Sequence, residues 1–197
     1  MVPKRDKIWF IITGPHKMGK TEIIFNFCNI TEKKQYTYYS EVDTYLKPVN
    51  LQNHSYYLCI MDLNYLEQNS QLFLLRLENL IIMHVYSISN RKSFQHAING
   101  YTLYHNHLEK KEKKTEILVG NSSFEQREVS YEEGKGFADS VGILFYEVNP
   151  KTDENINECF FNAVYHCIQK KTYRNVNEIV VNKLVNSRKN RCGCILI

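Results

Sequence analysis

An α/β fold is predicted for this chain: a six-stranded, mostly parallel sheet with helices on both faces and one antiparallel edge strand. Three observations predict it. Apolar strand-like runs alternate with segments of helical periodicity along most of the length. A glycine-bracketed loop, Gly14-Pro15-His16-Lys17-Met18-Gly19-Lys20-Thr21, joins the first such run to the first such helix. Two strand-like runs separated by a short polar turn supply the antiparallel edge.

The first run is Ile8-Trp9-Phe10-Ile11-Ile12, and the first helix follows over Glu22 to Phe27. Strand, G-x-x-x-x-G-K-[ST] and helix in that order make a P-loop, so the fold class is that of a P-loop NTPase. The glycines let the loop curl so that backbone N–H groups gather around phosphate oxygens. The helix N-terminus adds its positive dipole end. Gly14, His16, Lys17, Met18, Gly19, Lys20 and Thr21 are therefore the candidate phosphate-binding residues. Lys20 is placed to reach the β- and γ-phosphates, and the Thr21 hydroxyl to ligate Mg²⁺. Pro15 has no N–H, which the outer loop position tolerates.

Further along, Thr31 to Ser40 is polar and Tyr-rich and reads as a loop. Val42 to Leu51 and Tyr56 to Asp62 read as the hairpin, with Gln52 to Ser55 as its turn. Leu66 to Leu77 reads as a short helix and Leu80 to Tyr86 as a buried strand. A helix is predicted over Arg91 to Lys111, running into the charge run Glu109 to Lys114 as a solvated end. Glu116 to Gly120 is the fifth strand. Ser130 caps a helix through Ala138, with Glu133 as capping-box partner. Ile143 to Val148 is the sixth strand. Asn155 to Gln169 is an amphipathic helix presenting Ile156, Phe160, Ala163, Val164, Cys167 and Ile168.

With 197 residues, 43% hydrophobic and 23% charged, the chain reads as one domain over 1–172 followed by a tail over 173–197. No apolar run approaches the ~18–20 residues that span a bilayer, and the N-terminal residues lack a signal-peptide core. From Ile179 to Ile197 the charged residues are Lys183, Arg188, Lys189 and Arg191, which account for the whole net charge of +4. A neutral body with a basic tail argues against nucleic acid as a partner. The six cysteines show no C-x-x-C pair, so zinc is not predicted. Cys28, Cys59, Cys159 and Cys167 read as reduced core residues. The seven histidines, His84, His105 and His107 among them, read as structural or surface groups.

The succession of pieces over about residues 7 to 170 resembles the Ras superfamily of small GTPases, and the Rab branch in particular. The resemblance is carried by the P-loop and by Val42-Asp43 with Lys47 through Asp62. It extends to Asn90-Arg91-Lys92-Ser93-Phe94, Ile117 to Asn121 and Val129-Ser130-Tyr131-Glu132-Glu133-Gly134. It implies a small-GTPase G domain that binds GTP or GDP with Mg²⁺. It also assigns roles. Asp62 opens the second-switch motif and would hold Mg²⁺ through water. Tyr65 stands where the family has the glycine that contacts the γ-phosphate. Leu66 stands at the position of the glutamine that orients the attacking water, and can neither donate nor accept a hydrogen bond. Hydrolysis is therefore expected to be slow or absent, and no catalytic residue is assigned. In the first switch the family's Mg²⁺-binding threonine falls near Tyr39, with Ser40 or Thr37 as substitutes. The guanine motif is Asn121-Ser122-Ser123-Phe124. Asn121 keeps the base contact, Phe124 stands at the aspartate's place, and Glu125 is the alternative acceptor. Of the last base motif only Lys151 remains, either to stack on the base or to stay solvated.

The chain ends Cys192-Gly193-Cys194-Ile195-Leu196-Ile197, which fits C-a-a-X and is similar to doubly prenylated Rab endings. Two lipids, or one lipid with Arg188, Lys189 and Arg191, would meet the two-signal requirement for stable anchoring. Residues Asn177 to Val185 read either as a helix extension or as a membrane- or partner-binding segment. The expectation is a monomeric, lipid-anchored regulator of vesicle traffic on a cytoplasmic membrane face, working through effector, exchange-factor and escort proteins. The alternative is a pseudo-GTPase, a membrane-tethered interaction module independent of nucleotide. A small P-loop kinase is disfavoured because no lid with multiple arginines follows.

Overall fold

The computed structural model describes residues 6–30, 36–39, 42–51, 53–63, 74, 76–108, 114–124 and 126–169. Among them seven strands form one sheet in the order β2-β3-β4-β1-β5-β6-β7. β1 (Asp6–Thr13) lies in the middle and pairs in parallel with β4 (His54–Leu63) and β5 (Leu80–Ser87). β6 (Lys114–Asn121) and β7 (Leu144–Val148) continue the parallel half. On the other side β3 (Val42–Leu51) runs antiparallel to β4, with Leu51 opposite His54 across a two-residue turn. Asn53 in that turn has φ 63°, a left-handed conformation that Asn tolerates.

The fold class is the expected one, with an addition at the edge. Tyr36–Tyr39 forms a short strand, β2, antiparallel to β3, where a loop is predicted from 31–40. Tyrosine favours strands, and four residues beside an open β3 edge suffice to pair. The sheet thus has seven strands rather than six.

Alternation along β1 divides the core between two faces. Ile8, Phe10 and Ile12 face α1 (Lys20–Cys28) and the helix α4 over residues 156–169. There Phe27 of α1 stacks on Phe160 of α4 with ring centroids 3.9 Å apart. Ile156, Phe160, Ala163, Val164 and Cys167 are buried, so the predicted amphipathic face of α4 is the one that docks. Trp9 and Ile11 face the other way, toward Tyr104 and Leu108 at the end of α2 (Arg91–His107) and toward Leu74 and Leu77. Leu118 joins Phe94, Ala97 and Ala138 beneath α2 and α3 (Tyr131–Val141).

Helix ends follow their capping residues. Asn90 caps α2 by accepting from the Ser93 N–H. Ser130 and Glu133 form the predicted capping box of α3. Gly142 ends α3 at φ 70°, a conformation in which glycine carries no steric penalty. The second helix stops earlier than expected: Leu108 caps it by donating to the Tyr104 carbonyl, rather than the helix running to Lys111. Lys114, read as part of a solvated helix end, opens β6 instead. Its ammonium lies 3.1 Å from Glu116 and donates to the His105 carbonyl. A buried carboxylate draws it into the strand. Most of the helix expected over Leu66 to Leu77 lies outside the described residues, as do 109–113.

Cys59, Cys159 and Cys167 are buried free thiols and Cys28 is a half-buried one, matching the expected reduced state. No described helix is long and apolar enough to cross a membrane.

Candidate functional site

Strand order reverses around β1, with β4 leading to the hairpin edge and β5 to β6 and β7. In open α/β sheets a ligand crevice opens at the carboxyl ends of the strands at such a switch point. The register brings the candidate residues to that end. Ile12 pairs with Asp62, Ser87 with Asn121, and Asn121 with Val148.

The loop leaves β1 at Gly14, where φ is 150° and a Cβ would lie 2.3 Å from the Val85 carbonyl oxygen. Only glycine fits there. Lys17 at φ 62° and Gly19 at φ 80° then bend the chain twice through the left-handed region. A turn of this kind gathers successive N–H groups on its concave side. α1 begins at Lys20, and the first-turn amides of a helix have no intrahelical acceptor. His16 and Lys17 are exposed, while Met18 and Gly19 are half-buried.

Lys20 closes the loop on itself. Its ammonium donates to the Gly14 and Pro15 carbonyl oxygens, both at 2.9 Å, and the residue is buried. Burial lowers its pKa from the ordinary lysine value, against the attraction of Asp62 and Glu22. A cation partly stripped of water and held by neutral carbonyls is a ready partner for an anion.

At the loop's exit the Thr21 hydroxyl donates to Asp62 Oδ2 at 2.6 Å. A hydroxyl and a carboxylate in contact are hard oxygen donors. They fit Mg²⁺, which takes one or two protein oxygens and completes its shell with water and phosphate. Two of the three residues assigned to the ion are thus brought together. Ser40, the third, lies outside the described residues.

The base-side residues are partly rearranged. Asn121 is fully buried, and its amide is committed inside the protein: Nδ2 donates to the Met18 carbonyl at 2.9 Å and Oδ1 accepts from the Ser123 N–H at 2.9 Å. It braces the phosphate loop against the loop after β6, and a Cβ on Gly19 would come within 2.1 Å of its Nδ2. Phe124 stays 42% exposed, and the Lys151 ammonium sits 5.8 Å from its ring centroid. Lys151 is therefore neither isolated nor merely solvated. Its loop is fixed by the Asn149 side chain, which accepts from the Lys151 N–H, and by Asn26 of α1, which donates to the Pro150 carbonyl.

Leu66, Tyr65, Glu125, Cys192 and Cys194 lie outside the described residues. Sequence reasoning missed the bracing by Asn121, the tie from Asn26 to Pro150 and the contact of Lys151 with Phe124. Each joins residues 27 to 124 positions apart, and no local pattern reports such a pairing.

The chain matches the model of the Ras family over residues 9–169. It is 30% identical to the Ras-like protein rasU of Dictyostelium discoideum over 185 residues, 90% of this chain and 81% of that one. It is also 30% identical to the Ras-related protein Rab-4 of the same organism, over 78% of this chain and 76% of the relative. A shorter stretch of 82 residues, 41% of this chain and 40% of the relative, is 34% identical to the GTP-binding protein ypt2 of Schizosaccharomyces pombe. With a phosphate loop at the switch point of a sheet in this order, these similarities establish that the chain belongs to the Ras family of small GTPases, with Rab-type proteins among its relatives.

Proposed function

We propose that this chain is a Rab-like switch protein that binds GTP and GDP with Mg²⁺, hydrolyses GTP slowly, and regulates vesicle traffic while anchored to a cytoplasmic membrane face. The observation that carries the reading is the preserved phosphate grip: Lys20 buried over its own loop, and Thr21 in contact with Asp62. On binding, Lys20 exchanges two neutral carbonyls for phosphate oxygens, which suits its desolvated ammonium far better. The α1 amides and the curled loop hold the remaining phosphate charge. Mg²⁺ would supply neutralisation of the β- and γ-oxygens from the Thr21–Asp62 side.

Slow turnover follows from the residue types rather than from the grip. Leu66 at the water-orienting position cannot hold a nucleophile by a hydrogen bond. The bound triphosphate state would then persist until a partner intervenes, and effector, exchange-factor and escort proteins are the expected partners. Anchoring rests on Cys192 and Cys194 with the neighbouring basic residues.

A second reading, a pseudo-GTPase whose interactions ignore nucleotide, is favoured by two features. Asn121 is turned inward, and Phe124 stands where a carboxylate would read guanine. Acid denaturation of the protein purified from eukaryotic cells separates the two. The switch reading expects close to one guanine nucleotide released per chain and membrane recovery that Cys192→Ser with Cys194→Ser abolishes. A nucleotide-free protein that still partitions to membranes supports the second reading.

A further inference from the structure

The phosphate loop and the first turn of α1, residues 14–23, carry two lysines, a histidine and a single acid, Glu22. Lys20 closes the loop, Lys17 lies exposed at its outer bend, and Asp62 faces Thr21 on the side of the ion. Glu22 takes no part in these contacts. It stands at the third position of α1, where helical side chains lean back over the preceding turn. Its Oε2 accordingly lies 3.8 Å from where a Gly19 Cβ would sit. Glu133 occupies the same place in α3, but there the carboxylate is engaged by the Ser130 N–H and by Arg91. Among the described residues no hydrogen bond or ion pair occupies the Glu22 carboxylate, and the residue is exposed.

A carboxylate at that place acts with opposite sign in the empty and the loaded protein. In the empty protein it lies beside the positive end of α1 and attracts the Lys20 ammonium, both of which are favourable. With a polyphosphate in the loop, the same amides and the same ammonium serve the ligand, and two anions become neighbours. We infer that Glu22 is a built-in competitor for the phosphate grip: it favours the empty loop, loosens the hold on nucleoside di- and triphosphates, and speeds their release. This rests on the phosphate-binding reading above and adds to it a regulator inside the chain, one carboxylate that helps to set the exchange rate. Because the effect is charge on charge at an exposed position, it is modest, on the order of fivefold, and salt weakens it.

Release of GDP carrying a fluorescent label on its ribose, from the full-length protein with Mg²⁺ and chased with unlabelled GDP, tests the inference. Glu22→Gln is expected to slow release by about fivefold in ~0.1 M salt, and Glu22→Lys by more. Inorganic pyrophosphate, which has no base, should bind more tightly to both variants in the same order when measured calorimetrically. In salt of about 1 M, where the Debye length has fallen from about 10 to about 3 Å, the rates of parent and Glu22→Gln converge. Release from Glu22→Gln within twofold of the parent, or faster, overturns the inference. So does a slowing that high salt leaves intact, because it belongs to the shape of the helix end rather than to charge. A parent that binds GDP and pyrophosphate no differently from its variants refutes the competitor alone. A parent that binds neither refutes the phosphate grip as well.

Discussion

Lys20, Gly19 and Asn121 show how three side chains divide one task. The glycine exists so that something else can come close: its Cβ would sit 2.1 Å from the Asn121 amide, at a φ of 80° that side chains rarely adopt. Gly19→Ala must therefore either displace Asn121 or change the loop's curl. It should destabilise the protein by upwards of ~1 kcal/mol and lower its melting temperature in the absence of any ligand. A melting curve equal to the parent's would mean that the brace between Asn121 and the loop is not tight. The role of Gly19 was legible in the sequence, because a curled backbone demands particular residue types at particular spacing. The role of Asn121 was only half legible. Its position at the end of a strand marked it as a site residue, but the direction of its amide depends on a carbonyl 103 residues away.

At the scale of elements, helix caps were the most predictable features. The Ser130–Glu133 capping box needs only residues three apart and appears as read. Pairings between elements were not, and β2 and the start of β6 are the two departures. Lys114 looked like one more charge in a basic run, yet it belongs to a buried cluster that stitches α2 to the sheet. The Glu116 carboxylate accepts from His84 of β5 at 3.2 Å, meets His105 of α2 at 3.2 Å, and pairs with Lys114 on its own strand, beside Tyr101. Burial alone would push its pKa up. The hydrogen bond and charge of His84, followed by those of Lys114, outweigh burial and hold it below its ordinary value of 4.5. A carboxyl whose folded pKa is depressed stabilises the protein above its unfolded value, and that stabilisation is lost as pH falls through the folded one. The urea midpoint should thus drop as pH is lowered from 6 to below 4. Glu116→Gln should be weaker at pH 6 by about 1.5–3 kcal/mol, with a flatter acid limb. A variant as acid-sensitive as the parent would assign the loss to other carboxylates.

Over the whole molecule, parallel register does what no single residue can: it delivers the ends of β1, β4, β6 and β7 to one edge, and with them Gly14, Asp62, Asn121 and Lys151. Alternation of strands and helices announced that edge, and the P-loop said what it holds. The basic, cysteine-bearing tail accounts for the net charge and lies outside the described residues. The phosphate grip is the claim on which the rest depends, and melting the purified, nucleotide-free protein with and without Mg²⁺–GDP tests it most directly. Ligand at about 100 times its dissociation constant contributes ~2.7 kcal/mol, which for a chain of this size is a rise of about 5–10 °C. The account predicts that rise in the parent and none in Lys20→Ala, each measured against its own ligand-free melting temperature. An unshifted parent, or a Lys20→Ala variant that shifts as far as the parent, would contradict it.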